Sequence, residues 1–510
     1  MKKIFLYTVL SAFIMSIGFT GCKKALNIEP QQSVSSDVAL QSREGVNAAV
    51  TGVYARLKGV RLYGRDIIAL PEALSDNGFA TNKSGRLLPE ARNNFRSHFT
   101  DALWQTSYTA INDINLVLEA IPNLNITPEL SVAETNQIEG QLYFLRALYH
   151  FNLVLAYSYT PGAVVSSQDM GGIPIMTTAI KTLGQAIDLL PERSPITAVY
   201  DQIIKDFEDA NSRLAYPGSG FPNLANKAAT QAFLSRVNLY RKDYTNAKRW
   251  ADSAINTAGA RLTANATYVA GWRSATHPES LFQIQYASNS ENTGVNESLQ
   301  TSFTTLTVLG NPNLTGGFGD LVPTLSLLTD LGITLTGGNN NSNFIGNNAA
   351  IASKSADVRN QLYEVGTTGR GKSYVETTKY IGKNGFINLD NAPVIRIAEV
   401  YLNRAEALAT PGSPVFNETA ALADLNLLIS KRGLADTALA GNSLYEEILR
   451  QRRIELAFEG HRFWDLKRLG RDIIKVPHYN DIAFSDIRIL APIPQREVDG
   501  NPKMKQNAGY

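Results

Sequence analysis

The chain of 510 residues holds one cysteine, Cys22, only 5 histidines, 5 methionines and 4 tryptophans, and almost no surplus of charge, with 48 Lys+Arg against 46 Asp+Glu. A lone cysteine excludes an internal disulfide framework and every structural zinc site built from several thiolates. The formal charge of +2 removes the basic face that nucleic-acid binding requires. His98, His150, His277, His461 and His478 are isolated and lack metal-site spacing, so no metal and no cofactor is expected. No G-x-S-x-G elbow occurs, and no segment after the N-terminus reaches the roughly 20 apolar residues of a membrane span. Charged residues make up 18%, below the roughly 25% usual for soluble domains, with Asn, Thr, Ser and Gln filling the gap. The hydrophobic content of 44% still marks a globular chain and excludes general disorder.

Lys2 and Lys3 precede an uncharged apolar stretch from Ile4 to Phe19, which has the length of a signal-peptide core. It ends in Phe19-Thr20-Gly21-Cys22, which resembles the lipobox of bacterial lipoproteins, although Phe19 stands where Leu is commoner. The resemblance implies a signal peptide over 1–21, lipidation of Cys22 and a polar tether over 22–35 containing Pro30. The body would then lie outside the cytoplasm, tethered by acyl chains that contribute about 0.8 kcal/mol per buried methylene. An ordinary secretory signal that happens to contain a cysteine is the alternative. Cleavage before Cys22 removes Lys2 and Lys3 and leaves 46 basic against 46 acidic residues.

Apolar residues at helical spacing predict a helix capped near Ser36-Asp37 and running through Val46, Ala49, Val53 and Leu57. Further helices are expected over Ala102–Ala120, with Trp104 on its packing face, over Glu134–Tyr157, which is apolar around most of its circumference, and over Val199–Leu214. Between Lys227 and Ile255 two helical runs flank Lys242-Asp243-Tyr244. Ala247, Ala251 and Ala254 follow at the spacing of the second half of a tetratricopeptide repeat, with a generic helical hairpin as the alternative. A second pair spans Pro393–Ala409 and Ala420–Ser430, and the last helices lie within Leu444–Leu469. Phe79–Phe99 reads as loop. Residues 294–391 form a long insertion rich in Gly, Asn, Thr and Ser, with strand-like alternation at Leu362–Val365 and Tyr374–Glu376. Long loops on a rigid scaffold are where binding residues concentrate.

Two motifs invite chemistry and lack its context. Gly366-Thr367-Thr368-Gly369-Arg370-Gly371-Lys372-Ser373 matches the phosphate-loop expression, but the β-branched Tyr374–Ile381 that follows is a poor helix start, so a hairpin turn is expected. Glu455 and Glu459 lie one helical turn apart, as a glycosidase pair could. They sit among Arg450, Arg452, Arg453 and Arg462, where ion pairing is the favoured explanation, and no catalytic residue is assigned.

Several blocks together resemble the SusD/RagB family. They are Ser75-Asp76-Asn77, Leu145-Arg146-Ala147, Gly172-Ile173-Pro174, Arg396–Ala407, Leu425–Leu428 with Lys431-Arg432-Gly433, Arg453–Arg468, Ala491–Glu497 and Gln506–Tyr510. Gln451 departs from the Glu usual in that family. The resemblance implies a mostly α fold over 36–510, in which tetratricopeptide-like helix pairs carry a loop-rich half with short β hairpins. It also implies a non-enzymatic lipoprotein of the outer membrane, exposed at the cell surface. Such a protein captures oligosaccharides or related nutrients and delivers them to a SusC-like TonB-dependent transporter.

Sugar recognition needs flat rings for pyranose C–H faces and polar groups for hydroxyls. Asp76, Asn77, Phe79, Arg86, Phe95, His98 and Phe99 occupy the loop where relatives place part of the ligand site, and Tyr286 and Phe318 border the insertion. Trp272, before a strand-like Leu281–Tyr286, is assigned to the core. A secreted glycan-degrading enzyme and a protein-interaction scaffold without glycan binding are the alternatives.

Overall fold

The computed structural model describes residues 40–123, 130–218, 220–259, 261–336, 350–383 and 386–510. The expected signal peptide, tether, lipidated Cys22 and Ser36-Asp37 cap all lie outside these residues. The first described helix, α1 (Arg43–Leu57), starts behind Ser42, whose hydroxyl accepts from the Gly45 amide at 3.0 Å. Next come α2 (Asp66–Leu74), α3 (Asp101–Ala120) and α4 (Val132–Tyr157). Ser131 and Glu134 cap α4 reciprocally. From Gly140 to Tyr157 every residue of α4 except Tyr143 is buried, as its all-round apolarity predicts, and α3 and α5 (Ile196–Arg213) flank it. Phe144 on α4 meets Phe207, Phe233 and Phe282 edge-on at 5.1–5.5 Å between ring centroids.

The helix pair expected between Lys227 and Ile255 is present as α6 (Lys227–Tyr240) and α7 (Tyr244–Ala258). Lys242 reverses the chain at φ 65°, and the Asp243 carboxylate accepts from the Asn246 amide at 3.0 Å. Ala247, Ala251 and Ala254 are fully buried, so the two backbones approach closely. In turn α7 packs on α8 (Ile397–Ala409), and α8 packs on α9 (Glu418–Ser430) and α10 (Gly441–Glu455). The last scaffold helix is α11 (Arg462–Leu469). The result is the mostly α, tetratricopeptide-like scaffold that the resemblance implies. One boundary differs: Pro393–Arg396, expected within a helix, belongs to a strand, because Pro at its second position supplies no amide and the residues around it pair with a partner strand.

The strands form antiparallel pairs. β1 (Gly78–Ala80) pairs with β3 (Leu321–Pro323), and β2 (Ser280–Ile284) with β8 (Ala392–Arg396). β4 (Ile333–Thr336) pairs with β5 (Ala350–Lys354), and β6 (Tyr363–Val365) with β7 (Val375–Thr377). The phosphate-loop string is the tip of the β6–β7 hairpin, with no helix behind it. β1–β3 is a long-range pair, and it fastens the insertion to the loop after α2, which was expected to have no regular structure. Trp272 is fully buried.

A buried knot of charges joins the insertion to the scaffold. Arg432 donates to Glu455 at 2.9 Å and to Glu279 at 2.9 Å, and Arg396 reaches Glu279 at 2.8 Å, Glu455 at 3.0 Å and Glu459 at 2.7 Å. From the insertion, Arg359 pairs with Asp357 at 2.6 Å and Lys379 with Glu459 at 2.7 Å. Burial opposes the charge on Glu455, yet Arg432 and Arg396 outweigh it and hold the carboxyl well below the usual range. Glu455→Ala removes a carboxylate shared by three buried guanidiniums and leaves the knot with an excess positive charge, so a loss of about 3–5 kcal/mol is expected in chemical denaturation. A loss typical of surface sites, within about 0.5 kcal/mol, would contradict this assignment.

Candidate functional site

β1–β3 pairing sets two loops side by side. The Thr81 amide donates to Asp320 O at 2.9 Å and its hydroxyl to Gly319 O at 2.7 Å, which places the segment Lys83–Arg86 against Phe318–Asp320. Gly78 has to lack a side chain, since a Cβ there would lie 2.7 Å from the Glu72 carbonyl oxygen.

Asp76 and Asn77 form the floor under this junction. Asp76 accepts a two-pronged contact from Arg462 at 2.6 and 2.7 Å. Asn77 donates to Glu72 at 2.8 Å and accepts from Arg453 at 2.8 Å. Burial opposes the Asp76 charge, but Arg462 and Arg453 outweigh it and hold the carboxyl down at about 2. These two side chains therefore tie the loop to α10 and α11.

Above the floor the Phe318 ring carries two guanidiniums, Arg370 at 3.8 Å and Arg86 at 4.5 Å from its centroid. Arg86 also donates through Nε to Asp320 at 3.1 Å, and Ser84 donates to the same carboxylate at 2.5 Å. Beside this stack, Lys83 Nζ lies 5.2 Å from the centroid of Tyr374 and 3.6 Å from the Glu376 carboxylate. Glu376 accepts from the Thr304 hydroxyl at 2.9 Å and from the Thr305 amide at 2.6 Å. Phe79, half-buried on β1, stacks on Tyr479 at 5.7 Å and tilts against His478 at 4.9 Å and Tyr374 at 6.1 Å.

Arg86 also lines a polar cleft of about 290 Å³, together with Arg61, Arg65, Asp66, Glu90 and His98. Burial, reinforced by the charge of Lys467, lowers the His98 imidazole to about 3, so it is neutral, and its Nδ1 accepts from the Phe99 amide at 2.9 Å. Burial raises the Glu90 carboxyl, and the neighbouring Asp66 adds to the shift. A larger cleft of about 540 Å³ lies between α3 and the C-terminal segment. There Tyr108 donates to Pro174 O, Asn112 exchanges hydrogen bonds with the Ile180 backbone, and Asn501 donates to Pro191 O. Several of its polar groups are thus engaged by the chain itself, as Arg61, Arg65 and Asp66 are with one another in the smaller cleft.

Of the residues chosen from sequence, Arg86 meets Phe318 at this junction and lines the smaller cleft with His98, Phe79 packs nearby on Tyr374 and Tyr479, and Asp76 and Asn77 hold the loop to the scaffold. Phe95 stacks instead on the C-terminal Tyr510 at 5.2 Å and is 54% exposed. Phe99 is buried against Trp464 at 5.6 Å, and Tyr286 is buried with its hydroxyl donating to Lys58 O at 2.9 Å. Sequence reasoning missed Lys83, Asp320, Arg370, Tyr374 and Tyr479. A signal existed for Arg370, which sits at the tip of a hairpin whose strands were legible; nothing marked Tyr479 in the Pro-punctuated tail. Among the described residues no group of three His, Cys, Asp or Glu is arranged for a metal, and no helix is long and apolar enough to cross a membrane.

A loop-borne polar and aromatic face on a tetratricopeptide-like scaffold defines a helical binding protein. The family model described as starch-binding associating with outer membrane matches residues 26–239, and that of the SusD family matches residues 367–510. The chain belongs to the SusD family. It is 24% identical to SusD-like protein P38 of Formosa agariphila, covering 100% of both chains. A solved SusD superfamily protein of Bacteroides thetaiotaomicron is 26% identical with a TM-score of 0.74, covering 93% of this chain and 100% of that one. A solved laminarin-binding SusD-like protein shares the fold at a TM-score of 0.66 and 20% identity, covering 92% of this chain and 100% of that one.

Asp76 has a folded pKa below its unfolded value of about 4, so its contribution is present above that pH and is lost as pH falls toward 2. Urea unfolding between pH 6 and 2.5 is expected to show wild type losing about 2 kcal/mol more than Asp76→Asn over this window. Parallel pH profiles for the two proteins would refute the ion-paired floor.

Proposed function

We propose that the protein is a non-enzymatic glycan-binding lipoprotein of the outer membrane that delivers oligosaccharides to a SusC-like TonB-dependent transporter. Membership of the SusD family supports the class, and the laminarin bound by one fold neighbour supports a polysaccharide as ligand. The observation that carries the reading for this chain is the junction where Arg86 lines an open polar cleft while stacking on the half-buried Phe318 ring. Hydroxyls of a sugar would meet Arg61, Arg86, Glu90 and His98, Leu70, Leu87 and Pro89 would supply apolar walls, and the Phe318 ring under Arg86 would offer a further apolar face beside the cleft. The exposed ring of Phe95 would offer a separate platform on the same loop. Asp76, Asn77, Phe99 and Tyr286 would act by holding this loop and its surroundings in place.

In this reading residues 1–21 direct export, lipid on Cys22 anchors the chain, 22–35 form the tether and 36–510 form one binding domain exposed at the cell surface. The alternative of glycan cleavage by Glu455 and Glu459 is disfavoured by their burial. Their carboxylates are engaged by Arg359, Arg396, Arg432 and Lys379, leaving no side open to a glycosidic bond.

Residues 23–510 titrated calorimetrically with a panel of oligosaccharides should bind at least one, and Arg86→Ala or Phe318→Ala should weaken it by about tenfold or more in protein that remains folded at the assay temperature. If no glycan binds while the transporter still co-purifies, the protein-interaction scaffold replaces this reading. For the anchor, Cys22→Ala is expected to abolish palmitate labelling and release the protein from the membrane fraction. Retention of label would refute lipidation at that residue.

A further inference from the structure

We propose that this site is selective for acidic glycans, and that Arg370, with Arg86 and Lys83 behind it, receives a carboxylate or sulfate ester carried by the sugar. The inference rests on the reading that the junction of Arg86 and Phe318 is the glycan site.

It begins with charge. The chain as a whole is close to neutral, but its charges are not evenly placed. Around Phe318 stand Lys83, Arg86 and Arg370, against Asp320 and Glu376, and Lys372 follows two residues after Arg370 on the hairpin tip. The side chains of both acids are almost fully buried, at 1% and 0% exposure, and turned toward the protein. Asp320 is taken up by Ser84 and Arg86. Glu376 is taken up by Thr304 and Thr305, with Lys83 alongside at 3.6 Å. Arg370 and Lys372 are exposed, and among the described residues neither forms an ion pair. The solvent side of the site is thus cationic and the anions lie behind it.

Geometry sharpens the charge into a receptor. A guanidinium stacked on an aromatic ring uses its flat face for the ring and keeps its N–H groups in plane, pointing away. Arg370 places its guanidinium carbon over the Phe318 ring, 3.8 Å from the centroid, a distance short enough for such a stack. Its donors form the fork that matches the two oxygens of a carboxylate or sulfate. Arg86 is committed to Asp320 through Nε, while its Nη2 has no hydrogen-bond partner among the described residues. Two like charges gathered at one ring repel each other, and an anion bound at Arg370 relieves that repulsion.

The hairpin tip that presents Arg370 is itself fixed. Thr315 and Thr367 share a hydroxyl–hydroxyl hydrogen bond of 2.6 Å at its base. Gly369 passes so close to Thr315 that a Cβ would lie 2.3 Å from its Oγ1, and Gly371 turns the chain at φ 92°. An arginine held before the ligand arrives loses less conformational entropy on binding than a free one. The string that matches a phosphate loop therefore gains another role here. Its glycines let one arginine fold back onto a ring, instead of aiming backbone amides at a nucleotide.

The test titrates residues 23–510 with three oligosaccharides of similar length: an oligogalacturonate, a sulfated carrageenan oligosaccharide and a neutral laminarin oligosaccharide. At least one acidic ligand should bind about tenfold more tightly than the neutral one, and raising NaCl from 50 to 500 mM should shrink that gap. Arg370→Ala should narrow it to within about twofold with no change in melting temperature, because the side chain is exposed. Binding of the galacturonate alone, the sulfated ligand alone or both supports the proposal and identifies the recognised group. Preference for the neutral ligand, equal affinities, or an acidic preference untouched by Arg370→Ala overturns it and leaves glycan binding standing. Failure of all three to bind, under conditions where no neutral glycan of a wider panel binds, overturns the underlying reading as well.

Discussion

Glu455 is met by guanidiniums from three separate parts of the chain, Arg359, Arg396 and Arg432, in a place with no exposure to water. Four cations (Arg359, Lys379, Arg396 and Arg432) face four anions (Glu279, Asp357, Glu455 and Glu459), so the knot closes without net charge. Gln451 takes part as a neutral acceptor, receiving Arg359 at 2.6 Å, and so leaves that balance unchanged. Buried ion pairs add little net stability over an apolar core, but an unpaired member is costly. That asymmetry makes the knot a register device. Asp357, Arg359 and Lys379 belong to the insertion and the others to the scaffold, so every misplacement of the insertion strands a charge.

The candidate site inherits its geometry from that constraint. Lys379 stands two residues past the end of β7, and the β6–β7 hairpin carries Arg370 at its tip. Anchoring Lys379 at Glu459 therefore sets where Arg370 can reach. On the other side, Arg453 and Arg462 hold Asn77 and Asp76, which positions β1 and hence the partners of β3. A rigid charged base beneath irregular loops lets the loops bring rings and cations together without regular structure of their own.

Much of the scaffold was legible because helices repeat every 3.6 residues and bury one stripe, a local property. The alanine spacing after Tyr244 announced the α6–α7 pair, and the all-round apolarity of α4 announced its burial. Boundaries were less legible. The strand at Pro393–Arg396 looks helical until β2 is found beside it, and β1 has only three residues, with its partner more than 200 positions away. The site was partly legible. Phe79, Arg86, His98 and Phe318 were chosen as ring-bearing or polar loop residues, and of these Arg86 touches Phe318 and shares a cleft with His98, while Phe79 packs on Tyr479. Asp76 and Asn77 were chosen by the same rule, but their polar atoms face arginines of α10 and α11, which are far away in sequence.

By itself the sequence determined the class of fold, the sparing use of cysteine and histidine, the family through motifs spread along the chain, and the pattern of an export signal ending at Cys22. These follow from composition, short-range periodicity and ordered blocks, all of which survive in one dimension. Only the tertiary structure decided that Arg370 and Arg86 share one ring, that Glu455 and Glu459 are enclosed by arginine and lysine, and that Asp320 lies buried against Arg86. Each of these depends on pairing between segments tens to hundreds of residues apart, where neighbouring side chains are chosen by packing and electrostatics rather than by position along the chain.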